Sequence, residues 1–264
     1  MNASALRRTV LRLIDRPRRF SRASREADDR ERLGNGSSAN AGTPRARSPH
    51  RRGGRTDCER KRQSHETYHA VVNIIVTSLK GGVGKSTTSI YLAAAGVDRG
   101  YDPVTLIDAD PQASCAEWLE LWPLAGITVV EAPSERTATR AIARAEGLVV
   151  VDTPPGNERI TQSAVAVADA VVIPTRAGGV EYSRVSATIE LIPKGTSYGV
   201  VICAARLGTN DLDAALAWWK EQKVEVWGVI PERVSIAAGP EARLSREGLE
   251  NYDAVLARAL RGWR

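Results

Sequence analysis

The chain has 264 residues, a mass of 28.5 kDa and 42% hydrophobic residues, enough for one large domain with a sizeable core. Its net charge of +6 is unevenly placed: residues 1–70 hold 18 Lys/Arg against 8 Asp/Glu, and the remainder is net −4. All three histidines (His50, His65, His69) lie in the basic segment, which excludes a histidine metal site or a Ser-His-Asp triad from residues 71–264. Three scattered cysteines argue against a disulfide framework, a CxxC pair or a zinc site and fit a reducing compartment; no apolar run approaches the roughly 18 residues of a membrane span.

Residues 1–70 read as a basic extension. A short helix fits Ala5–Ile14, among arginines. The stretch Gly34–Arg55 is low-complexity and cannot bury enough surface to offset chain entropy, so disorder is expected there. Three readings of the extension stay open: a non-specific DNA-binding tail, a transit-like peptide, or residues upstream of the true start.

From residue 71 short β-branched runs alternate with helical patterns. Strands are predicted at Val71–Thr77, Pro103–Asp108, Ile127–Val130, Leu148–Asp152, Ala170–Pro174, Gly199–Ala204 and Val224–Ile230. Helices are predicted near Ser86–Arg99, Ala113–Leu121, Ser134–Glu146, Ile160–Ala168, Val180–Leu191, Asp211–Gln222 and Glu241–Trp263. Continuous apolar strands divided by helices imply a sheet covered on both faces. The expected fold of residues 71–264 is therefore a doubly wound α/β domain with about seven mainly parallel strands.

The first strand runs into Lys80-Gly81-Gly82-Val83-Gly84-Lys85-Ser86-Thr87-Thr88 and then a helix, the strand–glycine loop–helix context of a phosphate cradle. The glycines let backbone N–H groups turn around an anion. Lys85 can reach terminal phosphates, Ser86 can place its hydroxyl on Mg²⁺, and Thr87 can reach the inner phosphate. The strict GxxxxGK[ST] pattern fails, because Leu79 stands at its first glycine. The second strand ends in Asp108-Ala109-Asp110-Pro111-Gln112, two carboxylates where parallel sheets bind ligands: one can hold a metal-bound water and the other can orient an attacking water. Leu148–Asp152 is four apolar residues ending in Asp, the Walker B form, with Asp152 binding Mg²⁺ through water. Thr153-Pro154-Pro155-Gly156 follows.

The loop resembles the deviant Walker A loop of the ParA/MinD family of P-loop ATPases, in which the early lysine, here Lys80, is the signature. The Asp108–Gln112 and Asp152–Gly156 segments look like further motifs of that family, as do Ala166–Pro174 and Val229–Val234. The resemblance covers about residues 71–262 and is strongest to the small partition type.

What this resemblance implies is specific. ATP and Mg²⁺ are the expected cofactors. Lys80, Gly81, Gly82, Val83, Gly84, Lys85, Ser86 and Thr87 would bind ATP, Lys80 by reaching across an ATP-sandwiched homodimer. Asp110 would position the hydrolytic water, with Lys80 and Lys85 catalytic beside it. Ser86, Asp108 and Asp152 would serve the metal. Pro231 and Arg233 are the candidates for contact with adenine.

The expected function is an ATPase switch for plasmid or chromosome partition, cytoplasmic and nucleoid-associated. Non-specific DNA and a centromere-binding ParB/ParG-type protein would be its partners. A MinD-like membrane-associated positioning ATPase and a dethiobiotin-synthetase-type ligase are the alternatives. A membrane role would rest on the basic amphipathic C-terminal stripe of Tyr252, Leu256, Leu260 and Trp263, which ordinary packing explains better. Arg243, Arg246, Arg258, Arg261 and Arg264 are the candidates for DNA contact. The adjacent Trp218 and Trp219 cannot both face the core, and Trp218 is expected to lie partly buried under a neighbouring loop.

Overall fold

Seven strands carry the β-branched runs of the sequence: β1 (Val72–Val76), β2 (Val104–Asp108), β3 (Ile127–Glu131), β4 (Leu148–Asp152), β5 (Ala170–Thr175), β6 (Ser197–Ala205) and β7 (Val226–Pro231). The computed structural model describes residues 71–261 apart from 157, 238, 240 and 241. The readings made for residues 1–70, and those for Trp263 and Arg264, lie outside the described residues. All six strand pairings are parallel, in the order β3-β2-β4-β1-β5-β6-β7.

Eight helices flank the sheet among the described residues: α1 (Lys85–Asp98), α2 (Ser114–Leu121), α3 (Glu135–Ile142), α4 (Glu158–Val165), α5 (Gly179–Glu190), α6 (Asn210–Glu221), α7 (Val234–Ala237) and α8 (Arg246–Ala259). Successive strand residues point to opposite faces, so each strand serves two cores. Ile74, Leu106, Val150, Val172 and Val201 pack under α1, α2 and α8. Ile75, Ile107, Val151, Ile173 and Ile202 pack under α3, α4, α5 and α6. This double burial explains why β2, β4 and β5 read as near-continuous apolar runs. The edge strand β3 instead exposes Thr128 and Glu131.

Several boundaries differ from the sequence reading. Helix α3 stops at Ile142 rather than Glu146, because the chain must reverse through Gly147 to enter β4. Helix α8 starts at Arg246, five residues later than expected. Ser245 is its N-cap and accepts a hydrogen bond from the Gly248 amide at 3.0 Å. The short α7 was not predicted.

Helix α8 packs into the domain through Tyr252, Val255, Leu256 and Ala259, all buried. Tyr252 stacks on Tyr91 of α1 at 5.0 Å between ring centroids. Gly248 permits this approach: a Cβ there would lie 2.4 Å from the Tyr91 ring.

One tryptophan expectation needs correction. Trp218 is half-buried, but its cover is a helix. It stacks on Tyr182 of α5 at 4.3 Å and 10°. The β5–α5–β6–α6 succession sets the two helices side by side on one sheet face, so α5 stands where a loop was expected.

Candidate functional site

Strand register brings the motifs to one level. Asp108 on β2 pairs with Asp152 on β4, which pairs in turn with Val76 on β1. The glycine loop leaves β1 directly above them. Gly82 and Gly84 adopt φ values of 71° and 95°, left-handed backbone that an L-residue resists. Helix α1 begins after Gly84 with no side-chain cap and no acidic residue in its first turn. Its leading amides and its dipole therefore face the loop without a side-chain cap, as an anion site requires.

Lys85 is buried, with 6% of its surface exposed, and its Nζ donates to the Lys80 carbonyl at 3.2 Å. Burial lowers the Lys85 pKa, while the carboxylates of Asp152 and then Asp110 act the other way. A partly desolvated ammonium beside the loop gains strongly from an incoming phosphate. Lys80 itself is half-buried, and Val83 is buried beneath the loop.

Asp152 is fully buried. Ser86 Oγ donates to its Oδ2 at 2.7 Å, and Ser89 Oγ donates to its Oδ1 at 3.0 Å. The Cys115 thiol lies 3.3 Å from Oδ2. With the Ser86 proton directed at Asp152, the Ser86 oxygen presents lone pairs. A hydroxyl beside a buried carboxylate is a hard-oxygen donor set that suits Mg²⁺.

Asp108 is used differently. Its Oδ2 accepts from the Cys115 and Ala116 amides at 2.9 and 3.1 Å, and its Oδ1 accepts from the Asp110 amide at 3.2 Å. It thus caps the start of α2 and shapes the Asp108–Ala113 turn. One carboxylate oxygen of Asp108, one of Asp152 and the Cys115 sulfur all lie within 4.8 Å of one another. Asp110 is half-buried at the turn and accepts from the Gln112 amide at 3.0 Å.

Lys85, Ser86, Asp108, Asp110 and Asp152 are therefore gathered at one sheet edge. Pro231 ends β7 and Arg233 follows it, three strands away from β1 in the sheet order. Pro231 is buried opposite Ala205, and Arg233 is paired with Glu247 of α8 at 3.1 Å.

Sequence reasoning missed Ser89 and Cys115. Ser89 follows Lys85 by four residues and Ser86 by three, so helical spacing placed it on their face. Cys115 carried no local signal.

Burial pushes the Asp152 carboxyl up from 3.8 to about 6, against the lowering effect of its Ser86 hydrogen bond. Across that window the folded chain holds a proton that the unfolded chain has released. The stability of the nucleotide-free protein should therefore fall as pH rises from about 4 to about 6. At about 1.4 kcal/mol per pH unit the penalty reaches the order of 3 kcal/mol above that window. Asp152→Asn is expected to abolish this component and to raise the apo melting temperature at neutral pH. Thermal melts of both proteins across the window check it; identical pH profiles would contradict it.

A family model described as the CobQ/CobB/MinD/ParA nucleotide binding domain matches residues 74–245. The chain is 36% identical over 135 residues to maintenance of carboxysome distribution protein A of Gloeobacter kilaueensis, covering 49% of this chain and 61% of that protein. The chain thus spans about three-fifths of that relative's length. It is 29% identical over 212 residues to the chromosome-partitioning ATPase Soj of Thermus thermophilus, covering 64% of this chain and 85% of Soj. In fold it resembles the septum site-determining protein MinD of Pyrococcus horikoshii, solved with Mg-ADP, at a TM-score of 0.58 and 17% identity over 73% of this chain and 98% of that one. With the matched domain spanning the loop, both acidic motifs and β7, the chain belongs to the CobQ/CobB/MinD/ParA nucleotide-binding family.

Proposed function

We propose that this protein is an ATP-dependent dimerising switch that hydrolyses ATP to ADP and phosphate and acts in plasmid or chromosome partition. The observation that carries the reading is the Ser86–Asp152 bond beneath an uncapped α1, with buried Lys85 alongside. In this reading the loop amides of residues 81–87 and Lys85 hold the phosphates. Ser86 and Asp152 hold Mg²⁺, which would neutralise phosphate charge when bound. Asp108 acts from behind, by fixing the turn that carries Asp110. Asp110 orients the attacking water, and Lys80 serves the nucleotide of a second copy. Pro231 stays the candidate for the base. Arg233 can join it only by leaving Glu247, an exposed pair worth about 0–1 kcal/mol.

The partition reading is supported over the membrane one by α8, whose Tyr252, Val255, Leu256 and Ala259 are buried in the domain. Among the described residues no helix is long and apolar enough to cross a membrane. The candidate DNA-contact arginines divide by their contacts. Arg258 is half-buried and donates to the Val226 carbonyl, which makes it a structural tie. Arg261 pairs with Glu225 and Arg246 with Glu250 on the surface, and Arg243 lies over the Trp122 ring at 4.8 Å. These three are the ones a DNA phosphate could recruit, together with the basic extension, as the notional nucleoid contacts.

Asp110→Ala tests the cycle. It should bind ATP, keep the phosphate contacts and accumulate as a dimer in light scattering, because only water orientation is lost. A variant that binds ATP yet stays monomeric would overturn the role given to Asp110. Co-sedimentation of the trapped dimer with DNA and with anionic liposomes then separates partition from membrane positioning. Binding to liposomes alone would replace the partition reading.

A further inference from the structure

Among the described residues Cys115 is the one sulfur in contact with the acidic cluster, and it touches both halves of it. Its amide donates to Asp108 Oδ2 at 2.9 Å, and its thiol lies 3.3 Å from Asp152 Oδ2 and 3.8 Å from the Ser86 carbonyl. It is fully buried at the first turn of α2. One residue therefore ties the turn after β2 to the end of β4 and to the start of α1. The thiol is a weak S–H donor, and a carboxylate is the kind of acceptor that strengthens such a hydrogen bond. Here it completes a set of three donors around Asp152: Ser86 and Cys115 on Oδ2, Ser89 on Oδ1. A carboxylate restrained on both oxygens keeps one orientation, and the groups that orient a metal-binding carboxylate set its affinity for the ion.

We infer that Cys115 is a positioning residue of the divalent-cation site, holding Asp152 in register with Ser86 through its thiol while its amide holds Asp108. This rests on the nucleotide reading above. Cys115 is not a ligand in this assignment, and no step of hydrolysis passes through it. The chemistry it supports is the binding of a hard divalent cation beside a nucleotide phosphate.

The test uses full-length protein and Mn²⁺ as the probe, read by electron paramagnetic resonance in the presence of a non-hydrolysable ATP analogue. Cys115→Ala should weaken Mn²⁺ binding about tenfold. Cys115→Ser, which keeps a donor at the same position, should restore most of the affinity. Analogue affinity measured in EDTA should stay the same in all three proteins, because the phosphate contacts of the loop are untouched. A purely structural cysteine would lower the melting temperature of the Ala variant and leave Mn²⁺ affinity unmoved.

Equal Mn²⁺ affinity in wild type and Cys115→Ala, with the analogue bound by both, overturns the inference and leaves the nucleotide reading intact. So does a Ser variant as weak as the Ala variant. Wild-type protein that binds neither analogue nor Mn²⁺ overturns both. Should Cys115→Ala fail to fold, wild type against Cys115→Ser decides: unchanged metal affinity in Ser supports the donor role, and a tenfold loss overturns it.

Discussion

Replacing Lys85 with Ala should reduce ATP turnover by about 10²–10³-fold, or abolish binding outright, because one preorganised charge contact to the phosphates is removed. The fold should survive. Lys85 is a buried ammonium whose desolvation disfavours its charge, so truncation relieves a cost as it deletes a contact. A melting temperature close to wild type, measured beside the kinetics, would assign the loss to the site. Wild-type turnover in Lys85→Ala would place the nucleotide elsewhere.

Lys80 provides the contrast. If it serves a second copy, Lys80→Ala should leave nucleotide binding largely intact and remove ATP-dependent dimerisation. An equal loss of nucleotide binding in the two variants would place Lys80 in its own subunit's site.

Trp219→Ala should be the most damaging change in the core under α5 and α6, at about 3–5 kcal/mol. Trp219 is fully buried and meets Tyr182 and Trp218 edge-on at 5.4 and 4.5 Å. Truncation opens a cavity beneath both helices. Trp219→Phe should cost far less than the lost area implies. The indole Nε1 is buried and finds no hydrogen-bond partner among the described residues, and an unpaired buried donor costs about 1–3 kcal/mol. Phe removes that donor together with part of the ring. Chemical denaturation of the two variants reads the difference; a Phe variant as unstable as Ala would show that the N–H is satisfied in solution.

Much of this architecture is local in origin. Runs such as Leu148–Asp152 and Val104–Asp108 are short and mostly apolar, rich in valine and isoleucine and closed by an aspartate, so their burial on both faces was legible before any contact was known. Lys80–Thr88 between such a run and an Ala-rich helix marks a phosphate loop, because only glycine accepts the positive φ of positions 82 and 84 at no steric cost. The site's hydroxyls and lysines sit within one turn of that loop, and sequence spacing alone places them together.

The carboxylates and the cysteine are another matter. Asp108 and Asp152 are 44 positions apart in the chain, and only the β2–β4 pairing sets them side by side. Nothing local told that Asp108 would spend its oxygens on the amides of Asp110, Cys115 and Ala116, since those bonds depend on how the chain turns into α2. Cys115 reaches Asp152 because α2 returns over the end of β4, and Trp218 is covered by Tyr182 because two crossovers lay α5 against α6. Backbone preference and apolar period are properties of neighbouring residues, so the sequence by itself determined the elements and the loop. Which side chains meet across strands depends on register and packing, which exist only once the sheet has formed.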